Sequence, residues 1–396
     1  MKILMVNDND PAEVVGGSER YILDVTRELE AAGHQVSWFT LSAAGRKDRA
    51  ETDARRRVFA IDRDSGVKWL LRHSLFYPTL WKAAKDFLSA VEPDVVHLHN
   101  NYRYPLTVLA ATRGLCVVQT VHDYCLVYPT AYCTHPKPCT GSVFAALRHG
   151  CMNWKLLVTE GWLLYGRRFL DPRFVHRFIA PSRDLASHLR QRLGSTKVRN
   201  LGNFRSLPDV SASAVPESRV VLYVGALIAH KGVGVLLDAY AAMAKELADA
   251  ELWIVGDGPE RHELETSAAA SGARRVRFWG QLGERELANV YRRSQLVVIP
   301  SLWLENAPLV AIEAMAHGRP LVVSRVGGLP ELVEDGGTGL TFARGDATDL
   351  AAKIRTLLTD HTLAQRLASA ARRRYEETGL PAHHLHGLTA LYREGS

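Results

Sequence analysis

The feature that most constrains the fold of this chain is the alternation of short apolar strands and amphipathic helices in its second half. Apolar runs at 220–224, 252–255, 275–279, 296–300 and 320–324 alternate with helical patterns that include 233–247 and 285–293. Strands that alternate with helices of about 10–15 residues are typical of βαβ units, which build parallel sheets. The pattern predicts a doubly wound α/β domain over residues 219–379.

The first half shows a similar pattern. Lys2–Val6 and 35–40 predict strands on either side of an amphipathic helix that begins at Ser18, and 94–98 and 116–121 predict further buried strands. Ser18 is expected to be the N-cap of that helix, because a serine side chain accepts hydrogen bonds from first-turn amides. Proline, serine and alanine over 208–218 indicate a linker. We therefore expect a first α/β domain at 1–207, facing the second one.

Composition narrows the class of protein. The chain has 396 residues, of which 47% are hydrophobic, and no apolar run approaches the roughly 20 residues of a membrane span. The apolar start is too short for a signal peptide, so a cytoplasmic location is expected. Residues 101–205 carry 15 basic and 4 acidic side chains. This excess predicts an anionic partner, such as a membrane surface or a phosphate-linked acceptor, although a solvated basic face would look the same. No nucleic-acid-binding motif accompanies it.

Two carboxylates follow the strand at 296–300. Glu305 falls in the loop after this strand, and Glu313 is predicted near the start of an apolar helix. Polar groups at the carboxyl edge of an open α/β sheet commonly face a ligand, and carboxylates suit the vicinal hydroxyls of a ribose or hexose. The helix dipole alone would explain Glu313 but not Glu305.

The segment PSLWLENAPLVAIEAMAHGRPLV, from Pro300, resembles the E-x7-E signature of retaining GT-B glycosyltransferases (group 1, family 4 type). The resemblance implies two facing Rossmann-like domains with an interdomain cleft. It also implies that a terminal helix, 380–396 here, packs back on the first domain. At matching positions, Glu305 would face the donor sugar and Glu313 the ribose. The remaining donor-binding positions in the segment are Asn306, Ala307, Leu309 and Val310.

Glycine-rich segments extend the resemblance. The run Val224–Gly232 is similar to the family's G-R-L-x(3–4)-K-G element, so Gly225 and Lys231 would lie on the donor diphosphate. Ala226 replaces the family's arginine, and Arg325 is a candidate substitute. Glycines at two further strand ends are assigned to donor binding, Gly256 and Gly280.

Near the N-terminus, Gly16, Gly17 and Glu19 resemble the GG-x-E loop of the family, which lies near the donor phosphates and the acceptor. A simple tight turn would use the same residues. A nicotinamide-dependent oxidoreductase is disfavoured, because these glycines lack the G-x-G-x-x-G spacing.

His122 ends a predicted strand at the family-matched position near the sugar, and Asp123 follows it. With Lys231 and Glu305, His122 completes the predicted catalytic set, with a structural hydrogen bond as the alternative. The resemblance implies retaining, metal-independent hexosyl transfer without a cofactor. A UDP- or GDP-sugar would be the donor, and a polysaccharide or glycolipid the acceptor. Rival functions are a sugar-nucleotide epimerase of the same fold and a non-catalytic nucleotide-sugar-binding protein.

Two further features stay open in the sequence. Cys125, Cys133, Cys139 and Cys151 fall close together, but their spacing is not that of a typical structural zinc site, and Cys116 is expected in the core. Segments 67–88 and 143–174 interleave aromatic and basic residues. Such segments either bind a membrane surface, which here would be the inner face of the membrane, or pack as helices against a sheet.

Overall fold

The computed structural model describes residues 1–11, 16–43, 55–61, 76–102, 104–128, 143–148, 154, 162–194, 196–207, 210, 213–244, 246–272 and 275–394. The chain divides into two compact units. The N-terminal unit comprises Met1–Gly202 together with Pro381–Ser396, and the C-terminal unit comprises Asn203–Leu380.

A seven-stranded parallel sheet forms the centre of the N-terminal unit, in the order β3-β2-β1-β4-β5-β6-β7. Its strands are β1 (Lys2–Asn7), β2 (Gln35–Ala43), β3 (Arg56–Ile61), β4 (Val95–Leu98), β5 (Val117–Thr120), β6 (Arg177–Ala180) and β7 (Val198–Asn200). Its helices are α1 (Gly17–Ala31), α2 (Pro78–Val91), α3 (Pro105–Ala111), α4 (Val143–Arg148), α5 (Trp162–Phe174), α6 (Arg183–Leu193) and, from the end of the chain, α14 (Pro381–Arg393).

A six-stranded parallel sheet in the order β10-β9-β8-β11-β12-β13 forms the centre of the C-terminal unit. Its strands are β8 (Val220–Val224), β9 (Glu251–Val255), β10 (Val276–Gly280), β11 (Leu296–Ile299), β12 (Leu321–Ser324) and β13 (Gly339–Phe342). Its helices are α7 (Val233–Ala244), α8 (Arg261–Ala270), α9 (Glu284–Arg293), α10 (Leu309–Ala316), α11 (Leu329–Leu332), α12 (Ala347–Thr359) and α13 (His361–Thr378).

The central strands are buried and largely apolar, as is usual for parallel strands that are covered on both faces. All four residues of β5, β11 and β12 are buried, and these strands consist largely of Val, Leu and Ile. The predicted fold class, two Rossmann-like α/β domains, is confirmed. In each sheet the strand order reverses at one point, between β1 and β4 and between β8 and β11. Ligands of open α/β sheets bind outside the carboxyl ends of the strands at such points.

Two local predictions were wrong. Helix α1 begins at Gly17 with Gly16 as its N-cap, so Ser18 lies inside the helix. The Ser18 hydroxyl donates to Glu19 Oε2 at 2.9 Å instead of capping the helix. Glu313 is the fifth residue of α10, which begins at Leu309 after the N-cap Pro308. The proline's fixed φ favours a helix start there, one turn earlier than the acidic residue suggested.

The division between the units also differs from the predicted boundary at residue 207. Residues 203–207 belong to the C-terminal unit, because Asn203 and Arg205 bond to Ala307 and Glu313. Part of the predicted linker, residues 208–209 and 211–212, lies outside the described residues.

Several predictions concern residues that the structure does not describe. Cys133, Cys139 and Cys151 are among them, and so are residues 67–75, 149–153 and 155–161 of the basic-aromatic segments. Within the described ranges, no helix combines the length and apolarity needed to cross a membrane.

Candidate active site

Three predicted donor-binding glycines lie side by side at the carboxyl edge of the C-terminal sheet. The Gly225 amide donates to Val255 O at 3.0 Å, and the Gly256 amide donates to Gly280 O at 2.8 Å. Gly256 has φ 133°, and a Cβ there would lie 1.9 Å from the Gly225 carbonyl oxygen. Only glycine allows the two backbones to approach so closely. The backbones of these three glycines therefore lie against one another at the carboxyl ends of β8, β9 and β10.

Lys231 and Glu305 meet where the C-terminal sheet reverses its strand order. Lys231 ends a short 3₁₀ turn, Ala229–Lys231, after β8, and Glu305 lies in the loop after β11. Lys231 Nζ donates to Glu305 Oε1 at 2.7 Å and lies 4.9 Å from the centre of the Trp303 ring. The lysine side chain is 24% exposed, whereas the Glu305 side chain is 6% exposed. The ion pair thus links the loops that follow β8 and β11.

The two oxygens of Glu305 have different surroundings. Oε1 accepts three hydrogen bonds, from Lys231 Nζ, Ser301 Oγ at 2.6 Å and Trp303 Nε1 at 2.7 Å. Oε2 has no hydrogen-bond partner among the described residues. Burial would raise the pKa of Glu305, but the Lys231 ammonium and these donors outweigh it and lower the pKa. Glu305 is therefore an ionised carboxylate, fixed through one oxygen.

The backbone of Glu305 is held by a glycine turn after β12. The Gly328 amide donates to Glu305 O at 2.8 Å. Gly327 has φ 52°, and a Cβ there would lie 2.1 Å from the same carbonyl oxygen. This close approach and the positive φ require glycine at position 327.

The residues between the two glutamates form a loop and the first turn of α10. Asn306, Ala307 and Leu309 are buried, and Val310 is partly buried. Ala307 O accepts a hydrogen bond from Asn203 Nδ2 at 2.8 Å. Because the first amides of a helix have no intrahelical acceptor, this turn can bind polar ligand atoms.

Glu313 lies one turn further along α10 and is buried in an ion pair. Arg205 Nε donates to Oε1 at 2.8 Å, and Tyr291 Oη donates to Oε2 at 3.0 Å. The Tyr291 ring stacks on His317 at 4.8 Å. Sequence reasoning missed Arg205, which is 108 positions from Glu313, and also missed Ser301, Trp303 and Tyr291.

Ala226 stands where the family has an arginine, so position 226 itself provides no positive charge. Ala226 is exposed, and its carbonyl accepts from Tyr223 Oη at 2.8 Å. Arg325 follows β12 at the same edge of the sheet and is half-exposed. Its guanidinium donates to Thr341 Oγ1 at 3.4 Å and lies 3.8 Å from Asp349 Oδ2. Arg325 is therefore directed toward β13 and the start of α12.

In the N-terminal unit, the Gly16–Gly17 turn holds a buried carboxylate. Glu19 Oε1 accepts from Asn9 Nδ2 at 3.3 Å, and a Cβ on Gly16 would lie 2.4 Å from Glu19 Oε2. Glycine at position 16 thus lets the Glu19 side chain fold back over the start of α1. Asn100 Nδ2 donates to Ser18 Oγ at 3.1 Å, which ties this turn to the end of β4.

His122 follows β5 and pairs with a second imidazole, which follows β4. His99 Nδ1 and His122 Nε2 are 3.1 Å apart, and His99 Nε2 lies 3.4 Å from Met5 Sδ. A thioether sulfur only accepts, so His99 Nε2 carries the proton and His99 Nδ1 accepts from His122 Nε2–H. This tautomer leaves Nδ1 as the acceptor nitrogen of His122. Burial lowers the pKa of His122 to about 3, so the ring is neutral.

The same cluster contains side chains from the end of the chain. His384 of α14 contacts the Gly202 carbonyl through Nδ1 at 2.7 Å and Tyr21 Oη through Nε2 at 2.8 Å. Because a carbonyl only accepts, Nδ1 of His384 donates, and Tyr21 donates to its Nε2. The Tyr21 ring packs edge-on against His122 at 5.3 Å. Helix α14 thus contacts the tyrosine that packs against His122.

A second pair of α14 contacts reaches β4. His97 contacts Tyr392 Oη at 2.7 Å and Thr120 Oγ1 at 2.8 Å, and its ring lies 4.1 Å from that of His99. Burial lowers the pKa of His97 to about 3 and that of His384 to about 4. The cluster of His97, His99, His122, His384, Tyr21 and Tyr392, called the imidazole cluster below, is therefore uncharged.

Asp123 is oriented by its neighbours. Its Oδ1 accepts from Tyr102 Oη at 2.7 Å and from the Cys125 amide at 2.8 Å. Burial, with the nearby Asp123 charge, raises the pKa of the Cys125 thiol well above its ordinary value.

Among the residues that the structure describes, no three His, Cys, Asp or Glu side chains are grouped as metal ligands. Cys116 is partly buried just before β5, rather than within the strand.

Comparisons with known proteins relate both units to glycosyltransferases. The family model "Glycosyltransferase Family 4" matches residues 15–204, and "Glycosyl transferases group 1" matches residues 210–374. A glycogen synthase of Mycobacterium tuberculosis is 29% identical over 396 residues, which cover 94% of this chain and 90% of that protein.

Two solved structures resemble the whole chain. Sucrose-phosphate synthase from Thermosynechococcus elongatus is 25% identical with a TM-score of 0.77, over 99% of this chain and 98% of that one. Anabaena HepE, in complex with UDP and glucose, is 20% identical with a TM-score of 0.72, over 99% of each chain. The similarity therefore extends through both units.

Proposed function

The chain is a glycosyltransferase of the GT-B class, and from this premise we propose a specific reaction. The proposed enzyme transfers a hexose-type sugar from a nucleotide diphosphate sugar to a hydroxyl of a polysaccharide or glycolipid acceptor. The anomeric configuration of the sugar is retained. Relatives include a glycogen synthase, whose product is a glycan, and HepE, whose structure contains UDP and glucose.

The observation that carries this proposal is the asymmetric anchoring of Glu305. A carboxylate held through Oε1 by three donors keeps its orientation while Oε2 accepts a sugar hydroxyl. Its low pKa keeps it ionised at neutral pH, and a charged acceptor makes stronger hydrogen bonds than a neutral one. Glu305 would thus orient the donor sugar.

Lys231 is the proposed cation for the donor diphosphate. One of its three N–H donors is used by Glu305, so the ammonium can hold Glu305 and still donate to a phosphate oxygen. Helix α7 starts at Val233, immediately after the lysine turn, and its N-terminus adds positive potential. The partly exposed backbone at Gly225 and Gly256, the latter hydrogen-bonded to Gly280, allows close approach of the phosphates, and Arg325 is the candidate second cation.

The proposed step exchanges one bond at the anomeric carbon for another. The bond from C1 to the diphosphate oxygen breaks, and its electron pair leaves with the diphosphate. The acceptor oxygen forms a bond to C1 on the same face, and its proton passes to a phosphate oxygen of the leaving group. Lys231 and helix amides stabilise the charge that grows on the diphosphate, so catalysis is mainly electrostatic.

On the N-terminal side, His122 is the proposed contact to the donor sugar or the reacting hydroxyl. Its imidazole is neutral, which suits a hydrogen bond with a hydroxyl group. Gly16, Gly17, Glu19 and Asp123 are proposed to line the acceptor side, where Glu19 and Asp123 can accept further hydroxyls. Glu313 is the proposed ribose contact, with Asn306, Ala307, Leu309 and Val310 next to the nucleotide sugar.

An anionic surface is a proposed partner of the N-terminal unit. Residues 101–205 are strongly basic. Helix α2 adds the exposed Trp81 and Lys82 next to the exposed Phe76. Aromatic and basic side chains on one exposed helix favour peripheral binding at an interface that carries anionic lipids. The proposed site of action is the cytoplasmic face of the inner membrane.

A two-stage experiment tests the proposed function. Thermal shift with UDP-, GDP- and ADP-sugars identifies the donor, because a ligand that binds the folded state raises the melting temperature. The donor is then incubated with and without glycan or glycolipid acceptors, nucleotide release is measured, and NMR gives the anomeric configuration of the product.

The outcomes separate the rival functions. Release of nucleoside diphosphate that increases with acceptor, and a retained anomer, support the proposal. Conversion of the donor sugar without acceptor would indicate an epimerase, and binding without conversion would indicate a non-catalytic module. An inverted anomer would remove the retaining mechanism.

A further inference from the structure

We infer that Arg205 is a positioning residue that holds Glu313 for recognition of the donor ribose. This inference rests on the proposed function, which assigns Glu313 to the ribose but gives Arg205 no role. The residue lies in the segment Asn203–Arg205, at the start of the C-terminal unit and far from α10 in sequence.

The geometry of the Arg205–Glu313 ion pair orients the Glu313 carboxylate. Arg205 Nε donates to Glu313 Oε1 at 2.8 Å, and the two side chains are 2% and 4% exposed. Arginine presents its donors in a rigid planar fork, so this contact fixes the plane of the carboxylate as well as its charge. Tyr291 donates to the other oxygen at 3.0 Å. A carboxylate oxygen can accept two hydrogen bonds, so these contacts are compatible with hydroxyl donors from a ligand.

The Arg205 guanidinium also compensates the buried negative charge of Glu313. The helix dipole favours an acid within the first turn of a helix, but Glu313 is the fifth residue of α10 and lies beyond that turn. A buried carboxylate is costly unless it is paired and hydrogen-bonded. Arg205 therefore supplies the opposite charge that allows an acid at this buried position.

The segment Asn203–Arg205 also contacts two places in the proposed donor site, the loop after Glu305 and the Glu313 side chain. Asn203 Nδ2 donates to Ala307 O at 2.8 Å, close to Glu305, while Arg205 bonds to Glu313. Phe204, between them, is fully buried, and the Arg205 amide donates to Gly379 O at 3.3 Å. The segment thus contacts both the loop that precedes α10 and the second turn of this helix.

The test compares nucleoside diphosphates with their 2′-deoxy counterparts. UDP, GDP and ADP are titrated against the full chain by calorimetry, and the tightest is compared with its 2′-deoxy form. A site built to bind a hydroxyl discriminates against the analogue that lacks it. We expect the wild type to bind the 2′-deoxy form about tenfold or more weakly, as for a hydrogen bond to a charged group.

Arg205→Met and Arg205→Lys are then measured in the same way, with folding checked by circular dichroism. Arg205→Met should weaken binding of the ribose form by about tenfold and of the 2′-deoxy form by less than about threefold, so discrimination is lost. Arg205→Lys keeps the charge without the planar fork and should retain part of the discrimination.

The matched control is Arg167→Met, which breaks the buried Arg167–Asp171 pair in the N-terminal unit. This variant should lower the melting temperature without changing the preference for ribose. A loss of preference caused only by lower stability would appear in this control as well.

Each outcome has a definite meaning. If a folded Arg205 variant, Met or Lys, discriminates as well as the wild type, Arg205 does not position Glu313 and the inference is overturned. If the wild type itself does not discriminate, the ribose assignment of Glu313 fails, and the inference fails with it. If none of the three diphosphates binds, the proposed function is overturned first.

Discussion

The carboxyl edges of the two sheets are built from opposite chemistry. In the C-terminal unit the candidate residues form two ion pairs, Lys231 with Glu305 and Arg205 with Glu313. In the N-terminal unit the imidazole cluster around His122 is neutral, because burial lowers the pKa of its histidines. A charged edge suits a diphosphate and the hydroxyls beside it. The neutral imidazole cluster suits hydroxyl groups without attracting phosphate.

This contrast predicts that loss of a charge should cost more activity than loss of an imidazole. Lys231→Ala removes the proposed cation for the leaving group, so turnover should fall roughly 100- to 1,000-fold. Removal of the lysine charge also leaves burial as the main influence on the pKa of Glu305, which should rise. Turnover measured against pH should therefore show an acid limb at higher pH than in the wild type.

Lys353→Ala, on α12, is the matched control for this variant and should retain wild-type turnover. If Lys231→Ala stays within about threefold of the wild type, Lys231 is not part of the mechanism, because loss of one preorganised donor alone costs more than this.

His122→Ala should reduce turnover roughly 100-fold, because a misplaced reacting group costs about this much. The fold should survive, since the His97–Tyr392 and Tyr21–His384 contacts do not involve this ring. The measurement is kcat and KM for donor and acceptor with the purified variant.

The exposed His262 provides the comparison, and its replacement by alanine should change neither constant. Near-normal turnover in His122→Ala would reduce the imidazole cluster to a structural role and would break the contrast between the two edges.

The two units should also differ in their response to acid. A histidine whose folded-state pKa is lowered binds protons more readily in the unfolded chain, so its contribution to stability is lost as pH falls. For the imidazole cluster this window runs from about 6.5 down to about 3. Each such ring lowers the free energy of unfolding by about 1.4 kcal/mol per pH unit within it. In the C-terminal unit, His317, with a pKa of about 4, behaves similarly.

The carboxylate of Glu305 responds only at a lower pH than the histidines do. Its pKa is lowered below 4.5, so its contribution is intact at pH 5 and is lost only in stronger acid. Hydrogen exchange between pH 7.5 and 5, corrected for intrinsic rates, should therefore show earlier loss of protection in the sheet of the N-terminal unit. Equal loss of protection in both sheets would contradict the proposed difference between the neutral histidines of the N-terminal unit and the ionised Glu305 of the C-terminal unit.

The smallest expected effect is that of metal removal. If the protein's own cations stabilise the leaving diphosphate, a chelator should change turnover by less than about twofold, which is the expectation when no ion stabilises transition-state charge. Turnover is measured with excess EDTA and again after addition of magnesium or manganese. Loss of activity that either ion restores would show that Lys231 and the helix amides do not suffice.

Much of the fold could be predicted from the sequence because parallel strands buried on both faces are continuous apolar runs. The strand at 220–224 and the loop position of Glu305 were predicted correctly on this basis. The same reasoning placed the start of α10 at the acidic residue, although Pro308 starts it earlier. A local pattern cannot choose between two plausible helix starts within one apolar segment.

The partners of the candidate residues could not be predicted in this way. Arg205 and Glu313 are 108 positions apart, and His97 and Tyr392 are 295 apart. No spacing rule connects residues that only a folded sheet brings together. The glycines were recognisable because close backbone approach requires that residue type, whereas arginine and histidine are common on any surface. The roles assigned to the site residues stay predictions.

The return of α14 to the N-terminal unit has a consequence for biosynthesis. Its buried residues His384, Leu388 and Tyr392 complete a core whose other members are translated before residue 203. The C-terminal unit is synthesised in between. The core of the N-terminal unit therefore remains incomplete until α14 emerges from the exit tunnel, because Tyr21 and His97 lack their partners from α14. Nascent chains stalled before residue 381 should consequently recruit chaperones at the first unit, although most of its sequence is already made.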